Sequence, residues 1–376
     1  MMGPLEGLRV LDFSRVLAGP FATMHLADLG ADVVKVERPD GGDDTRSFGP
    51  PFADGASTYF LSINRGKRSI TIDLKTEEGR ELARALAAKA DVVIENFRPG
   101  VMDRLGLGAS TLMGANPRLV YCSISGFGSA VERAGYDLVI QGMGGIPSIT
   151  GEPSGSPMKC GASIADLVTG LYAVQGILAA IARRHSTGAG GFVDVPMIDG
   201  QVALLTYHAS GLLNGGSEPK RLGNHHPSIH PYGTYEVLDG HLNVAVGNDR
   251  LFVAFARALG QPQWASDARF DTNASRVANR EALDREIETV LATQSVDHWC
   301  GVLDASGVPA GPINSIAEAV KLVDMVSHPH PTSGGRVQSA PLPYRIDDSP
   351  RAARLGPPRL GEHTDEVIEA WLPSTS

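Results

Sequence analysis

The chain has 376 residues, of which 42% are hydrophobic and 20% are charged, and its formal net charge at pH 7 is −9. This composition is typical of a globular protein with a sizeable core, and the length predicts two domains. The negative charge argues against general binding to nucleic acid or to an anionic membrane, so an anionic ligand would need a local cluster of cations.

The cysteines and the N-terminal segment indicate in which cellular compartment the protein works. The three cysteines, Cys122, Cys160 and Cys300, are far apart and form no CxxC pair, which indicates neither a disulfide framework nor a zinc site. The first 15 residues lack the apolar core of a secretion signal, and no stretch has the unbroken apolar length of a membrane span. We therefore expect a cytoplasmic protein.

Short β-branched runs alternate with helical patterns in the first third of the chain. The runs that predict strands are 8–14, 31–37, 68–74, 91–97 and 119–125. Strands that alternate with helices predict parallel βαβ units, so the expected fold class is α/β with a Rossmann-like large domain. The carboxyl ends of such strands line one ligand crevice.

Cations follow or precede several of these predicted strands. They are Arg38, Lys67, Arg68, Lys75, Arg98 and Arg104. Grouped at one sheet edge, such side chains favour a phosphate-rich small molecule, although each alone is equally well explained as a solvated surface charge. The chain has no GxGxxG, GxxxxGK[ST] or GxSxG motif in the required context, which argues against ordinary NAD, ATP and α/β-hydrolase sites.

A long apolar helix is predicted after a segment rich in glycine and proline. Its apolar residues recur at helical spacing over 164–184, and Asp166 lies in its first turn. The positive end of the helix dipole would favour the ionised carboxylate, which could act as a nucleophile. Acidic residues also commonly begin helices for structural reasons, and local sequence favours that interpretation.

The pattern of predicted strands and helices changes after this helix. Two strands around Asp239 and Gly240, followed by a helix at 249–260, predict a smaller α+β domain. We expect a large domain at 1–205, a small domain at 226–325 and a C-terminal segment, 326–376, that returns to the large domain.

Three histidines lie close together in GNHHPSIHPY: His225, His226 and His230. His226 and His230 have helical metal-pair spacing, but the prolines at 227 and 231 argue against a helix, and no third ligand is evident. We predict a loop and no metal site.

Several segments together resemble one family, the class III CoA-transferases, which includes formyl-CoA transferase, carnitine CoA-transferase and the related α-methylacyl-CoA racemases. The resemblance runs nearly end to end and is carried by GLRVLDFSRVLAGPFATMHLADLGADVVKVERP, NRGKRSITIDLKTEEG, ADVVIENFRPGVMDRLGLG, IADLVTG, HPYGTYEVLDGHLNVAVGND and LGEHTDEV. It implies an interlocked homodimer of ring-like chains and an enzyme of the EC 2.8.3 type. Coenzyme A would enter as part of the acyl-CoA substrate, with no metal or nucleotide cofactor.

The resemblance also implies roles for individual residues. Asp166 would be the nucleophile that forms an aspartyl anhydride and then an enzyme-CoA thioester. The CoA site would be lined by the backbone of Val16, Leu17 and Ala18, by Arg38 and Lys75 at the nucleotide and phosphates, by Ile72, Asp73, Leu74, Asn96, Phe97 and Arg98 along the adenosine and pantetheine, by Arg104 as a further charge and by Tyr136 near the thioester. The backbone amides of the glycine-rich segment GMGG at 142–145 are candidate donors to the oxyanions of the reaction.

Tyr136 separates two reactions within this family. The racemases have a histidine where this chain has Tyr136, and a phenol with an ordinary pKa of about 10 is poorly suited to exchange a proton at the α carbon. CoA transfer is therefore the expected reaction and racemisation at the α carbon the alternative. A rival outside enzymes is a non-catalytic CoA-binding or NAD-binding module. The small-domain segment is closer to dicarboxylate or carnitine transferases, with succinyl-CoA as the first donor to test.

Overall fold

The structure is a computed structural model that describes residues 3–373. The chain forms two compact units. The first contains the chain up to Ile146, Lys159–Gly216 and the chain from Val323 onward, and the second contains Pro147–Met158 and Ser217–Leu322. The segment Pro147–Met158 lies in the part of the sequence that we expected to be large domain.

A six-stranded parallel sheet forms the centre of the first unit. Its strands, together with a short hairpin of β3 and β4, are β1 (Arg9–Asp12), β2 (Asp32–Glu37), β3 (Phe52–Ala53), β4 (Ala56–Ser57), β5 (Lys67–Thr71), β6 (Val92–Glu95), β7 (Val120–Ser125) and β8 (Gly191–Pro196). The order across the sheet is β5-β2-β1-β6-β7-β8, and every pairing is parallel. Counted within the sheet, this is the doubly wound order 3-2-1-4-5-6. The mixed α/β class and the five strands predicted from sequence are confirmed, and β8 is an addition.

Helices lie between these strands or follow β8, and the short helix Ile146–Ile149 begins in the first unit and continues into the second. They are α1 (Ala18–Asp28), α2 (Thr58–Ile63), α3 (Glu77–Ala87), α4 (Val101–Arg104), α5 (Ala109–Ala115), α6 (Asp137–Met143), α7 (Ile146–Ile149), α8 (Ile164–Thr187), α9 (Met197–Ala203) and α10 (Thr206–Gly215), with a 3-10 turn at Asp44–Ser47. The side chain of Thr76 caps α3 by accepting the Gly79 N–H.

Two hydrophobic clusters cover the two faces of the sheet. On one face, side chains such as Val10 and Val33 pack against α1 and α8. On the other face, the alternate residues Leu11 and Val34 pack against α3 and the C-terminal helix. This alternation is the normal consequence of strand geometry and fixes which helix lies on which face.

Helices α1 and α8 approach each other closely through Gly170. A β-carbon at Gly170 would lie 2.7 Å from the Ala18 carbonyl oxygen, so only glycine permits this packing. Gly170 and Asp166 are four residues apart and share one face of α8. The close contact therefore places the start of α8 beside the loop that precedes α1.

Helix α8 has the length and composition of a membrane-crossing helix, with a mean hydropathy of 1.7, and no other helix of residues 3–373 does. Its apolar run is interrupted by Asp166, Thr169 and Gln175, so the helix does not contradict the expectation that no stretch has the unbroken apolar length of a membrane span. Of its apolar window, 44% is buried in the protein, where Ala173, Val174 and Ile177 belong to the core. The apolar composition has a structural cause, since α8 packs against both α1 and the sheet.

The second unit contains an antiparallel sheet of order β11-β10-β9 and its own core. Its elements are β9 (Tyr232–Val237), β10 (Gly240–Ala245), α11 (Asp249–Ala258), α12 (Asn273–Ala278), α13 (Arg280–Leu291), α14 (Val296–Ala305), β11 (Ala310–Pro312) and α15 (Ile316–Ala319), with 3-10 turns at Pro262–Ser266 and Val320–Leu322. The predicted strand pair and the helix after it are confirmed.

The C-terminal segment belongs to the first unit. It forms β12 (Val326–Pro329), β13 (Arg336–Ser339) and α16 (Thr364–Trp371). The Trp371 indole donates to Asp32 Oδ2 at 2.9 Å, and the His363 N–H donates to the Ser69 carbonyl at 2.9 Å. These bonds hold α16 against the edge of the sheet.

Two ion pairs are fully buried near the ends of β1 and β2. Lys35 Nζ lies 2.8 Å from Asp43 Oδ2, and Lys67 Nζ lies 3.3 Å from Asp12 Oδ2. Burial alone would lower the pKa of Lys35, but Asp43 and Asp12 raise it above the usual lysine value. Each ammonium also donates to main-chain or side-chain oxygens, including the Ser14 carbonyl for Lys35. Buried charges are tolerated when they are paired and hydrogen-bonded in this way.

We predict that Asp12→Ala lowers the free energy of unfolding by about 3–5 kcal/mol, because it leaves buried Lys67, whose pKa burial already lowers to about 7, and the Ser14 N–H and Thr23 hydroxyl without the carboxylate that they bond. Chemical denaturation of both proteins measures the difference. Glu77→Ala, which removes exposed ion pairs with Arg80 and Arg84, is the control and should leave unfolding almost unchanged. Equal stability of Asp12→Ala and the parent chain would contradict the prediction.

Candidate functional site

A cleft of about 880 Å³ opens at the carboxyl ends of β1, β6 and β7. It lies where the strand order reverses between β1 and β6, the position at which doubly wound sheets bind ligands. Its walls come from the loop before α1, the turn after β6, the start of α6 and the start of α8. The lining residues are Arg15, Val16, Leu17, Ala18, Asp44, Asn96, Phe97, Arg98, Pro99, Ile124, Ser125, Gly126, Arg133, Ala134, Gly135, Tyr136, Asp166 and Met197.

The loop between β1 and α1 is held in an unusual conformation. Val16 has a φ of +66°, which a β-branched residue rarely adopts. Its N–H donates to Asp43 Oδ1 at 3.3 Å, and Asp43 is the carboxylate paired with buried Lys35. The Asn96 amide bonds both the N–H and the carbonyl of Arg15, at 2.8 and 2.7 Å. The loop is thus fixed by the segments that follow β2 and β6.

The Asn96 side chain therefore has a structural task, because its amide oxygen and nitrogen both bond the Arg15 main chain. Its neighbour Phe97 faces Arg15 with 4.9 Å between the guanidinium carbon and the ring centroid. Asn96, Phe97 and Arg98, which the resemblance implies to be CoA-binding residues, all line the cleft. Of the three, Asn96 is the one whose side chain is bonded to the main chain of this loop.

Asp166 lies in the first turn of α8, partly buried, and lines the cleft together with Tyr136. Burial, and then the nearby Asp137 carboxylate, raise the pKa of Asp166 to about 7. The sequence predicted that the helix start would favour the ionised form. Desolvation and a like charge act in the opposite direction here, so both protonation states of Asp166 are populated near neutral pH.

Asp137, the first residue of α6, takes part in the start of α8. The N-cap residue of α8 is Ser163, whose side chain makes no capping bond, and Asp137 Oδ1 instead accepts the Ala165 N–H at 2.9 Å and the Asp166 N–H at 3.4 Å. Asp137 Oδ2 accepts from the Gln141 amide at 2.8 Å. A carboxylate from a separate helix thus satisfies donors that a helix start otherwise leaves unpaired.

A second cleft of about 730 Å³ lies beside the first at the ends of β2 and β5. Phe97 and Arg15 line both clefts. Among the residues predicted to bind CoA, the second cleft also brings together Arg38, Ile72, Asp73, Leu74 and Lys75. Arg38 is exposed and donates to Asp44 Oδ1 at 2.8 Å. This cleft combines an apolar floor with cations at its mouth.

Three of the predicted rim cations lie elsewhere. Lys67 is fully buried on Asp12, and Arg68 pairs with Asp32 at 2.6 Å, so the prediction that they belong to the rim is wrong. Both begin β5, and Asp32 begins β2, which places Arg68 at the amino ends of the strands. Arg104, at the end of α4, is exposed and lines neither cleft.

The candidate oxyanion donors at 142–145 also line neither cleft. The Gly144 N–H donates to the Ile140 carbonyl at 2.8 Å, which is the normal end of helix α6. That hydrogen bond removes Gly144 from the donors available to a ligand.

Sequence reasoning missed Arg15, Arg133, Asp137 and Tyr59. Arg15 follows a predicted strand directly, so its position at the carboxyl edge could have identified it. Tyr59 is close enough to Asp166 and Asp137 that, after burial, their charges contribute to raising the pKa of its phenol to about 12. Tyr59 and Asp137 carry no local sequence signal, because their partners are distant in the chain.

The predicted histidine loop contains a third potential ligand that the sequence did not reveal. His225, His230 and Asp284 have donor atoms within 4.8 Å of one another. An Arg280 N–H, which can only donate, lies 3.3 Å from His230 Nδ1, so Nε2 carries the ring proton and faces Asp284 Oδ1 at 3.3 Å. Burial and Arg280 lower the pKa of His230 to about 3. In this tautomer Nε2 offers no lone pair to a metal, and the Asp284 oxygen that faces it already accepts the Tyr235 hydroxyl at 2.9 Å.

A family model, sequence relatives and a solved structure that match this chain all indicate the same family. A model described as CoA-transferase family III matches residues 5–364. Succinyl-CoA:glutarate CoA-transferase of Mus musculus is 41% identical over 99% of this chain and 87% of its own. Acetyl-CoA:oxalate CoA-transferase of Acetobacter aceti is 42% identical over 96% of this chain and 94% of its own. A crystal structure of a CAIB/BAIF family protein from Brucella suis superposes with a TM-score of 0.86 at 45% identity, over 99% of this chain and 100% of that one.

The raised pKa of Asp166 predicts a pH-dependent stability. Its folded pKa of about 7 exceeds that of an unfolded aspartate, so the carboxylate destabilises the fold fully above pH 7, and this cost disappears as the pH falls toward 4. Asp166→Asn should therefore be more stable than the parent chain at pH 8, by roughly 1–3 kcal/mol, with a smaller difference at pH 5. Denaturation at both pH values measures it.

The control for this prediction is Asp199→Asn, the same change at an exposed carboxylate in the first turn of α9. A pH-independent difference between Asp166→Asn and the parent chain would contradict the prediction.

Proposed function

The chain belongs to CoA-transferase family III and moves CoA from an acyl-CoA to a carboxylic acid, and we propose that Asp166 is the nucleophile of this transfer. The observation that carries the proposal is the position of Asp166: a partly buried carboxylate at the wall of the switch-point cleft, beside a second cleft edged by cations. A carboxylate with a pKa near 7 is also more basic, and hence a better nucleophile, than an ordinary aspartate.

The two clefts together suggest a path for CoA. The nucleotide and its phosphates would occupy the second cleft, where Arg38 and Lys75 can pair with phosphate and the segment 72–74 supplies apolar contact. The pantetheine would pass Phe97 and the backbone of Val16, Leu17 and Ala18 into the first cleft, with Arg98 and Tyr136 near the thioester. Asn96 would act by fixing the loop, and Arg104 only as a more distant charge.

The first half of the reaction would release the donor acid. An oxygen of the Asp166 carboxylate attacks the thioester carbonyl carbon, the carbon–sulfur bond breaks and CoA leaves as the thiolate, which yields a mixed anhydride. The thiolate then attacks the Asp166 carbonyl carbon. The bond to the bridging oxygen breaks, the donor leaves as a carboxylate, and Asp166 carries CoA as a thioester.

The second half repeats these steps in reverse with the acceptor. The acceptor carboxylate attacks the enzyme thioester and expels the thiolate, and the thiolate then attacks the acceptor carbonyl of the new anhydride. The Asp166 carboxylate is regenerated as the acceptor leaves as its CoA ester. Each step balances without a metal, a nucleotide or a net proton, since one thioester replaces another.

Racemisation at the α carbon is the rival reaction. It needs two groups that exchange a proton with the substrate carbon, and the side chain that shares the cleft wall with Asp166 is the phenol of Tyr136. The absence of a histidine at 136 supports transfer over racemisation. The two reactions differ in one measurable respect, because only racemisation introduces solvent deuterium at the α carbon without an acceptor acid.

We propose a dicarboxylic acid as acceptor and succinyl-CoA as donor. The support is the naming of relatives that match nearly the full chain, among them the succinate–glutarate CoA-transferase of Agrobacterium fabrum at 42% identity. Arg15 and Arg133 line the cleft and could pair with a second carboxylate. A protein that only binds CoA would need neither a cation for a second carboxylate nor the Asp166 nucleophile.

We also propose that the active form is the interlocked homodimer of the family resemblance and that the enzyme works in the cytoplasm. Exposed apolar side chains such as Leu213 on α10, which is 81% exposed, support an interface with a second copy.

Asp166→Asn should lower the rate of CoA exchange by about 10⁴-fold, because the amide cannot form the anhydride. Exchange is measured with labelled succinate and succinyl-CoA, and intact-protein mass spectrometry detects the enzyme-CoA adduct in the parent chain and its loss in the variant. Asp199→Asn is the matched control and should retain both. Full exchange by folded Asp166→Asn, or deuterium at the substrate α carbon without an acceptor, would overturn the proposal.

The substrate proposal has its own test. With succinyl-CoA as donor, dicarboxylic acids of two to six carbons should react with a kcat/KM at least about tenfold above that of monocarboxylic acids of equal length, since only the former can pair with a second cation. Competition assays read out by mass spectrometry give the ratios. Equal rates for the two classes would exclude a carboxylate-specific acceptor pocket.

A further inference from the structure

Helix α8 is capped from outside its own segment. Helix starts are commonly capped by the residue just before the helix, but Ser163 makes no side-chain capping bond. The acceptor is Asp137, 29 positions before Asp166, whose Oδ1 receives both the Ala165 and Asp166 N–H groups. The position of the Asp166 main chain is thus coupled directly to α6.

Asp137 is itself held by a fully buried side chain. Gln141 lies one turn further along α6, and its Nε2 donates to Asp137 Oδ2 at 2.8 Å. The Gln141 oxygen accepts the Cys160 N–H at 2.8 Å, in the segment that leads into α8. Asp137 and Gln141 therefore connect α6 both to the first turn of α8 and to the chain just before it.

We propose that Asp137 is a positioning residue for the transfer reaction, which caps α8 through its carboxylate and thereby fixes the orientation of the Asp166 nucleophile toward the cleft. The proposal rests on the proposed role of Asp166. Asp137 touches no reacting atom. It acts because attack on a thioester requires the carboxylate oxygen to lie along a defined approach to the carbonyl carbon.

The same carboxylate also sets the charge around the nucleophile. The titratable groups that face Asp166 are Asp137 from α6 and Tyr59 from α2. The cleft wall adds Tyr136 and the cations Arg15, Arg98 and Arg133. Among these, Asp137 is the group whose charge opposes ionisation of Asp166, so position and protonation state depend on one side chain.

Two substitutions separate these effects. Asp137→Asn keeps an oxygen that can accept the Ala165 and Asp166 N–H groups but removes the charge and the acceptor for Gln141 Nε2, whereas Asp137→Ala removes all three. For Asp137→Asn, kcat at pH 8.5 should stay within about threefold of the parent enzyme, and the acid limb of kcat/KM for the acyl-CoA donor should shift to lower pH by about one pH unit.

For Asp137→Ala, kcat should fall by about 10- to 100-fold at every pH, with the KM for acyl-CoA changed by less than about threefold. A purely structural defect would not produce this contrast between the two variants, nor move the acid limb. Asp199→Asn is the control for loss of one negative charge and should match the parent enzyme in both measurements.

The proposal is overturned if Asp137→Ala keeps kcat within about threefold at pH 8.5, or if Asp137→Asn leaves the acid limb in place. If Asp137→Ala fails to fold, Gln141→Ala replaces it, because it removes the bond that holds the Asp137 carboxylate in place, and a kcat within about threefold of the parent enzyme at pH 8.5 would then overturn the proposal. Failure of the proposed function is distinct, since it appears as retained exchange in Asp166→Asn with the Asp137 residue intact.

Discussion

The buried pairing of Lys35 with Asp43 and of Lys67 with Asp12 is the interaction on which the site depends. These charges lie inside the protein, and each is stable there only because its counter-charge comes from another segment of the chain. Asp43 uses one oxygen for Lys35 and the other for the Val16 N–H, so the pair extends directly to the loop at the cleft. The left-handed backbone of Val16 persists because the segment after β2, through this carboxylate, and the segment after β6, through Asn96, both hold the loop.

At another wall of the cleft, the carboxylate of Asp166 lies close to that of Asp137. Asp166 and Asp137 are like charges in a partly desolvated setting, an arrangement that weakens the fold and favours reactivity. The structure accommodates it because Asp137 bonds main-chain donors and buried Gln141, while Gly170 lets α8 pack against α1 at the required depth. Stability at one place in the first unit thus supports an unfavourable charge at another.

The sequence predicts the sheet and α8 well, because β-branched runs and helical periodicity are local properties. It predicts the binding surface less well. Lysine side chains usually lie at the surface, but Lys67 is buried against Asp12. Asp12 lies 55 positions earlier in the chain, so no local pattern predicts this burial. The role of Asp137 depends on a bond to a helix 28 residues later, which no local pattern encodes. The position of Asp166 in the sequence allows two interpretations, a structural helix start and a nucleophile, and the family resemblance favours the nucleophile.

The division of the chain into units has a consequence for synthesis on the ribosome. The chain leaves the first unit at Ile146, returns at Lys159, leaves again at Gly216 and returns at Val323. All of Ser217–Leu322 emerges from the ribosome before α16 can cover β5 and Trp371 can bond Asp32. All six strands of the large sheet are therefore synthesised before Ser217–Leu322, but the β5 edge stays without its α16 cover until the end of the chain has emerged. Early chain segments of this kind are typical clients for chaperones that bind exposed apolar surface.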